Sequence, residues 1–108
     1  MNPVQWPDGA DGDVFRRLAS RGFDFSVSRG IDFNVDFESW PPHPDAIRKL
    51  RERYEDLSTY APSDGRLGYV LFKIAAALDY GLVTETQERV TSAMSPYGGV
   101  CESWGVQS

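Results

Sequence analysis

The sequence holds one cysteine and one histidine in 108 residues, and each scarcity removes a class of chemistry. Cys101 alone allows no internal disulfide and no cysteine-rich zinc site. His43 alone excludes a histidine-based metal cluster. Long apolar runs are missing too: the longest mostly apolar stretch, Gly68 to Leu78, carries Lys73 and falls short of the ~20 residues a membrane helix needs. Met1 to Gly12 has no basic start followed by an apolar stretch, so no secretion signal is read there and a cytoplasmic setting is expected. Positive charge is in the minority, eleven Lys and Arg against sixteen Asp and Glu, for a net charge of −5. That sign is wrong for a domain whose affinity comes from releasing counterions from nucleic acid. Direct contact with nucleic acid or with a membrane is therefore not expected; a basic protein surface suits the charge.

With 41% hydrophobic and 25% charged residues, the chain has the composition and size of one ordinary domain. Residues 1–10 read as a flexible leader, rich in Pro, Gly and Asp, and 11–108 as the domain. Trp6 is the exception in the leader and is expected to fold back over the domain as a surface cap. Asp11 or Asp13 can cap a helix over about 13–21, with Val14, Phe15, Leu18 and Ala19 on its buried face and Gly22 as its stop.

Ile31 to Glu38 alternates without error, Ile31, Phe33, Val35 and Phe37 on one face and Asp32, Asn34, Asp36 and Glu38 on the other. That is the period of a strand with one face in a core and one in water. Pro44 sits well in the first turn of a second helix to about Glu55, with Ala46, Ile47, Leu50 and Tyr54 as its apolar stripe. Leu57 to Ala61 reads as a short strand, Pro62-Ser63-Asp64-Gly65 as a tight turn, and Leu67 to Leu78 as a longer strand. Thr84 and Gln87 form a capping-box pattern for a third helix over 84–95, and Val100 to Val106 closes the chain as a strand. Removing the first helix leaves βαββαβ. The expected fold is thus α+β, a ferredoxin-like sandwich with a four-stranded antiparallel sheet and an additional N-terminal helix. That helix is expected over an edge or part of the open sheet face.

Three segments carry a family resemblance. Asp11-Gly12-x-Val14-x3-Leu18-x3-Gly22-x-Asp24-Phe25-Ser26, then Ile31-Asp32-Phe33 opening a strand, and Tyr97-Gly98-Gly99-x4-Trp104-Gly105 together resemble the RraB family of ribonuclease E inhibitors, in the same order across about 11–106. Cys101, Glu102 and Ser103 stand where that family usually has Tyr, Asp and Gly. The resemblance implies a ferredoxin-like fold without catalytic residues or cofactor. It also implies a cytoplasmic bacterial regulator that binds ribonuclease E and lowers its cleavage of RNA.

Asp32, Asp36 and Glu38 line one strand face closely enough for a hard cation to touch two of them, but nothing supplies further oxygen ligands, so no metal is expected. With Asp24, they instead make an acidic patch suited to an Arg/Lys-rich segment. Tyr69, Leu71 and Trp104 can add an apolar anchor beside it, since Tyr and Trp are common at binding hot spots. The expected partner-binding set is therefore Asp24, Asp32, Asp36, Glu38, Tyr69, Leu71 and Trp104. The same surface would serve an immunity-like protein neutralising a different basic effector, and it leaves room for a homo-oligomer. Arg48, Lys49, Arg51 and Arg53 read as a solvated helix face, because Arg48/Glu52 and Arg51/Glu55 are i, i+4 pairs. Cys101 reads as a small buried hydrophobe and His43 as structural. Gly98-Gly99 is a turn rather than a phosphate loop.

Overall fold

The computed structural model describes residues 6–54 and 56–106. Its elements are helix α1 (Ala10–Ser20), strand β1 (Ser28–Phe37), helix α2 (Pro44–Arg53), strand β2 (Ser58–Tyr60), strand β3 (Gly68–Ala77), helix α3 (Tyr80–Met94), a 3-10 turn at Ser95–Tyr97 and strand β4 (Gly99–Val106). Three helices and one four-stranded antiparallel sheet make an α+β fold, with strand order β2-β3-β1-β4.

β1 is central because it can bury one whole face. Ile31, Phe33, Val35 and Phe37 are at most 1% exposed, and across the ladder Val70 and Phe72 of β3 are equally buried. Burying each such side chain stabilises the fold by roughly 1.5–3 kcal/mol. Ala46 and Leu50 of α2 and Val83, Val90 and Met94 of α3 complete this core. Tyr54, just past α2, stacks its ring 4.0 Å from that of Phe72. Leu50 and Tyr54 also share a groove with Val90 and Met94, so α2 and α3 lie side by side on the same face of the sheet.

The hairpin between β2 and β3 turns where the sequence places it. Asp64 (φ 51°) and Gly65 (φ 75°) both adopt left-handed backbone inside the Ser63/Arg66 bridge, as a two-residue primed turn requires. β2 is shorter than expected, three residues rather than five. α2 starts at Pro44 as expected, and the preceding His43 accepts the Asp45 N–H on Nδ1 at 3.0 Å. The expected last residue of that helix, Glu55, lies outside the described residues, as do residues 1–5 of the leader and the last two residues of the domain.

Three expectations need correction. First, α1 begins at Ala10, and its N-cap is Gly9 with no side-chain cap; Asp11 and Asp13 lie within the first turn, where their charge suits the helix dipole. Its end does use Gly22 (φ 77°): Phe23 N–H bonds Leu18 O and Gly22 N–H bonds Ala19 O, each at 3.1 Å, a Schellman closure. Second, of the two places expected for α1, an edge or part of the open face, the open face is not covered and the helix sits by the edge strand β4. Phe15 is 1% exposed and packs against Tyr80 at the start of α3 and Trp104 of β4, which puts α1 on the helix side. Third, α3 starts at Tyr80, because the Asp79 carboxylate caps it by accepting the Leu82 N–H at 2.9 Å. Thr84 then lies inside the helix, its hydroxyl donating back to the Tyr80 and Gly81 carbonyls.

Trp6 folds back as expected. Its ring lies 5.5 Å from Phe15 and 5.6 Å from Phe25, and Arg16 holds the leader down by donating to the Trp6 and Pro7 carbonyls.

Candidate functional site

With helices on one side only, the other side of the sheet is an open face, and the strand registers fix its members. Along β1 stand Asp32, Asn34 and Asp36. Their neighbours on β3 are Lys73, Leu71 and Tyr69, and on β4 they are Gly105, Ser103 and Val100. Ser58 and Tyr60 of β2 flank Leu71 and Tyr69. Tyr60 stacks on Tyr69 with ring centroids 4.7 Å apart and is 45% exposed, so the two rings form an aromatic ledge beside Leu71.

The acids beside that ledge are poorly matched within the chain. Asp32 faces Lys73 at 3.7 Å, an ion contact too long for a hydrogen bond. Asp32 Oδ1 is shielded from solvent with no donor on it, and so is Asn34 Oδ1, although the Asn34 amide donates to Ser103 at 3.1 Å. Asp36 is half-buried, and its carboxyl titrates above the usual range because burial disfavours its charge and Glu102 repels it. Glu102 reaches this face because β4 is irregular between Cys101 and Ser103: Val35 faces Cys101 and Asn34 faces Ser103, leaving Glu102 as the extra residue.

That irregularity also decides Trp104. Unbroken alternation would put Val100, Glu102 and Trp104 on one side of the strand. The extra residue breaks it, so Val100 is on the open face while Trp104, opposite Phe33, turns to the helix side. There the Trp104 ring packs 5.4 Å from Phe15 and its Nε1–H donates to Asp11 Oδ1 at 2.8 Å. Its expected position as an anchor beside Tyr69 and Leu71 is thereby corrected.

Asp24 is also away from the row. It lies in the turn before β1, where its carboxylate accepts the Ser26 hydroxyl (2.6 Å) and the Ser26 N–H (2.9 Å). Those two bonds, helped by Arg29, hold its pKa below the usual carboxylate value. Glu38 continues the row just past β1, exposed, with its backbone N–H on Gly98 O at 3.1 Å. Of the seven expected residues, then, Asp32, Asp36, Tyr69 and Leu71 share the open face, Glu38 stands at its end, and Asp24 and Trp104 lie elsewhere. Tyr60, Val100 and Glu102 join the face unexpectedly. The alternation of Ser58 and Tyr60 against the hairpin turn is the signal that could have found Tyr60.

Other surfaces offer less chemistry. An aromatic cavity of about 590 Å³, lined by Trp6, Phe15, Phe23, Phe25 and Tyr80, has one acid, Asp79, already engaged in capping α3. The basic helix face is paired differently from expectation: Arg48 reaches back to Asp45 at 3.1 Å rather than forward to Glu52, and the Arg51/Glu55 pair involves a residue outside those described. Cys101 is 2% exposed, and burial together with the nearby Asp36 charge pushes its thiol up to about 12, so it is no nucleophile at neutral pH. Among the described residues no three His, Cys, Asp or Glu side chains gather to hold a metal, and no helix is long and apolar enough to cross a membrane.

The comparison with known protein families finds a match to the family described as RraB, Regulator of ribonuclease activity B, over residues 8–106. No curated protein matches the chain.

Proposed function

This chain belongs to the RraB family, non-enzymatic regulators that bind ribonuclease E and restrain its activity, and on that premise we propose that the open sheet face makes the contact. The observation that carries the reading is the imbalance of that face. Asp32 Oδ1 and Asn34 Oδ1 are shielded acceptors without donors, and Asp36 and Glu102 repel each other. A guanidinium or ammonium group laid across them supplies the missing donors and relieves the repulsion. Tyr60, Tyr69 and Leu71 give the adjoining apolar ledge for the stem of an Arg or Lys side chain. The partner segment is thus an Arg/Lys-rich stretch of ribonuclease E, with Asp32, Asp36, Tyr69, Leu71 and Glu102 at the centre and Glu38 at the rim. Asp24 and Trp104 join only where the partner wraps round the end of the sheet beside α1.

We read the architecture as ferredoxin-like with an added N-terminal helix. The strand order β2-β3-β1-β4 and the placement of α2 and α3 on one face support that reading. The regulator acts by protein contact in the cytoplasm, without cofactor and without holding RNA or a membrane itself. Its test is a binding measurement with purified ribonuclease E alongside an RNA-cleavage assay. Binding that weakens with salt and slower cleavage are expected; no binding at low ionic strength overturns the reading.

A further inference from the structure

The two edges of the sheet are treated differently by the fold. At the β4 edge, the Thr91 hydroxyl of α3 accepts the Cys101 N–H at 2.9 Å and contacts the Cys101 carbonyl at 3.3 Å. The extra residue at Glu102 further interrupts that edge. The β3 edge has no such cover along most of its length. β1 pairs with all of β3 from Gly68 to Ala77, whereas β2 pairs only with Tyr69, Val70 and Leu71. Among the described residues, β1 is the one element that pairs with Lys73 to Ala77, so on the outer edge alternate residues of this stretch turn their N–H and C=O groups away from the sheet unpaired.

Proteins usually guard such an edge with proline, a bulge or an outward charge, because it invites another strand. Here Ala75, Ala76 and Ala77 present almost no side chain, and the single charge, Lys73, is drawn over its own sheet by Asp32 at 3.7 Å.

We propose that a second copy of this chain adds to the sheet along Lys73–Ala77, antiparallel and two-fold symmetric about Ala75, so that one sheet runs through β3 of both copies from β4 to β4, with each β2 beside its own β3 at 69–71. The edge is self-complementary in that register. Ala75 faces Ala75 of the second copy, Lys73 faces Ala77 rather than another lysine, and half-buried Ile74 meets half-buried Ala76 on the helix side. No like charges face each other, and each Lys73 keeps its own Asp32. Ala75 pairs with Gly30, at the far end of β1 from Asp36. The dimer therefore leaves the Tyr69, Asp36 and Glu102 end of the open face free, and the Asp32–Lys73 contact is where the two surfaces meet.

Sedimentation of the full chain over a concentration series tests this. The wild type is expected to reach twice the monomer mass. Ala75→Lys and Ala75→Glu, which set like charges across the two-fold axis, are each expected to stay monomeric, and an equimolar mixture of the two is expected to dimerise again. A wild type that stays monomeric, an Ala75→Lys variant that dimerises like the wild type, or a mixture that stays monomeric overturns the proposal. Where a charge at position 75 prevents folding, Ala75→Cys decides: mild oxidation is expected to give a disulfide-linked dimer, since facing strand residues fall within disulfide reach, and its absence contradicts the pairing. A wild type that takes up only a ribonuclease E segment at this edge, and never its own copy, contradicts it equally.

Discussion

The indole Nε1–H of Trp104 donates to Asp11 Oδ1 at 2.8 Å, while the other oxygen of the same carboxylate accepts the Gln87 amide at 3.0 Å. One acid thereby joins α1, α3 and β4. Both bonds span long stretches of chain: the Trp104 bond ties the N-terminal helix to the C-terminal strand, and the Gln87 bond ties it to α3.

Asp11→Ala leaves two part-buried donors without an acceptor and is expected to cost about 1–3 kcal/mol, read by urea denaturation. Trp104→Phe removes one of the two bonds and should cost less. Unchanged stability in Asp11→Ala would show that the joint contributes nothing.

Part of this arrangement is legible in the sequence and part is not. β1 is, because Ile31, Phe33, Val35 and Phe37 alternate strictly with polar residues and only one pleat orientation buries them all. The Asp64-Gly65 turn is legible because few residue pairs accept its backbone. Cap choice is not, since several neighbouring acids and threonines are all chemically competent: Asp79 caps α3 ahead of Thr84, and Asp11 serves the tertiary joint instead of the helix end. The face of Trp104 depends on one extra residue in β4, and such an irregularity leaves no mark in the alternation of a short strand. Asp24 is withdrawn from the acidic row by two bonds to Ser26, a local turn that sequence spacing does not separate from a strand extension.

Thr91 replaces a missing neighbouring strand at Cys101. Thr91→Val keeps the shape and removes the hydroxyl, leaving the Cys101 N–H and C=O without their partner, and is expected to cost about 1–3 kcal/mol. Hydrogen exchange at the Cys101 amide should speed up more than at the Val35 amide. Equal protection in variant and wild type would place the edge's cover elsewhere.

The raised pKa of Asp36 has a defined sign. Its folded value lies above its ordinary value of 3.8, so the stability linked to its proton is full below that ordinary value and lost as pH rises through the folded pKa. At neutral pH the ionised Asp36 works against folding. Asp36→Asn is therefore expected to raise the midpoint of denaturation at pH 7, with the gain vanishing as pH falls below 3.8. A gain that persists unchanged in acid would assign the effect to packing instead of charge.

Cys101 is expected to resist a thiol reagent at neutral pH in the folded protein and to react once denatured, because its thiol is buried and pushed up to about 12. Fast modification of the native chain would contradict its position against the core.

Binding of ribonuclease E by the open sheet face is tested most directly by the affinity of ribonuclease E for two charge-reversed variants. Glu102→Lys changes an exposed residue on that face, and Arg53→Glu changes an exposed residue just outside the core on the helix side. Glu102→Lys is expected to weaken binding about tenfold, or ~1.4 kcal/mol, with a smaller salt dependence, while Arg53→Glu is expected to bind as the wild type does. Full affinity in Glu102→Lys together with a loss in Arg53→Glu would put the contact on the helices instead of the open face.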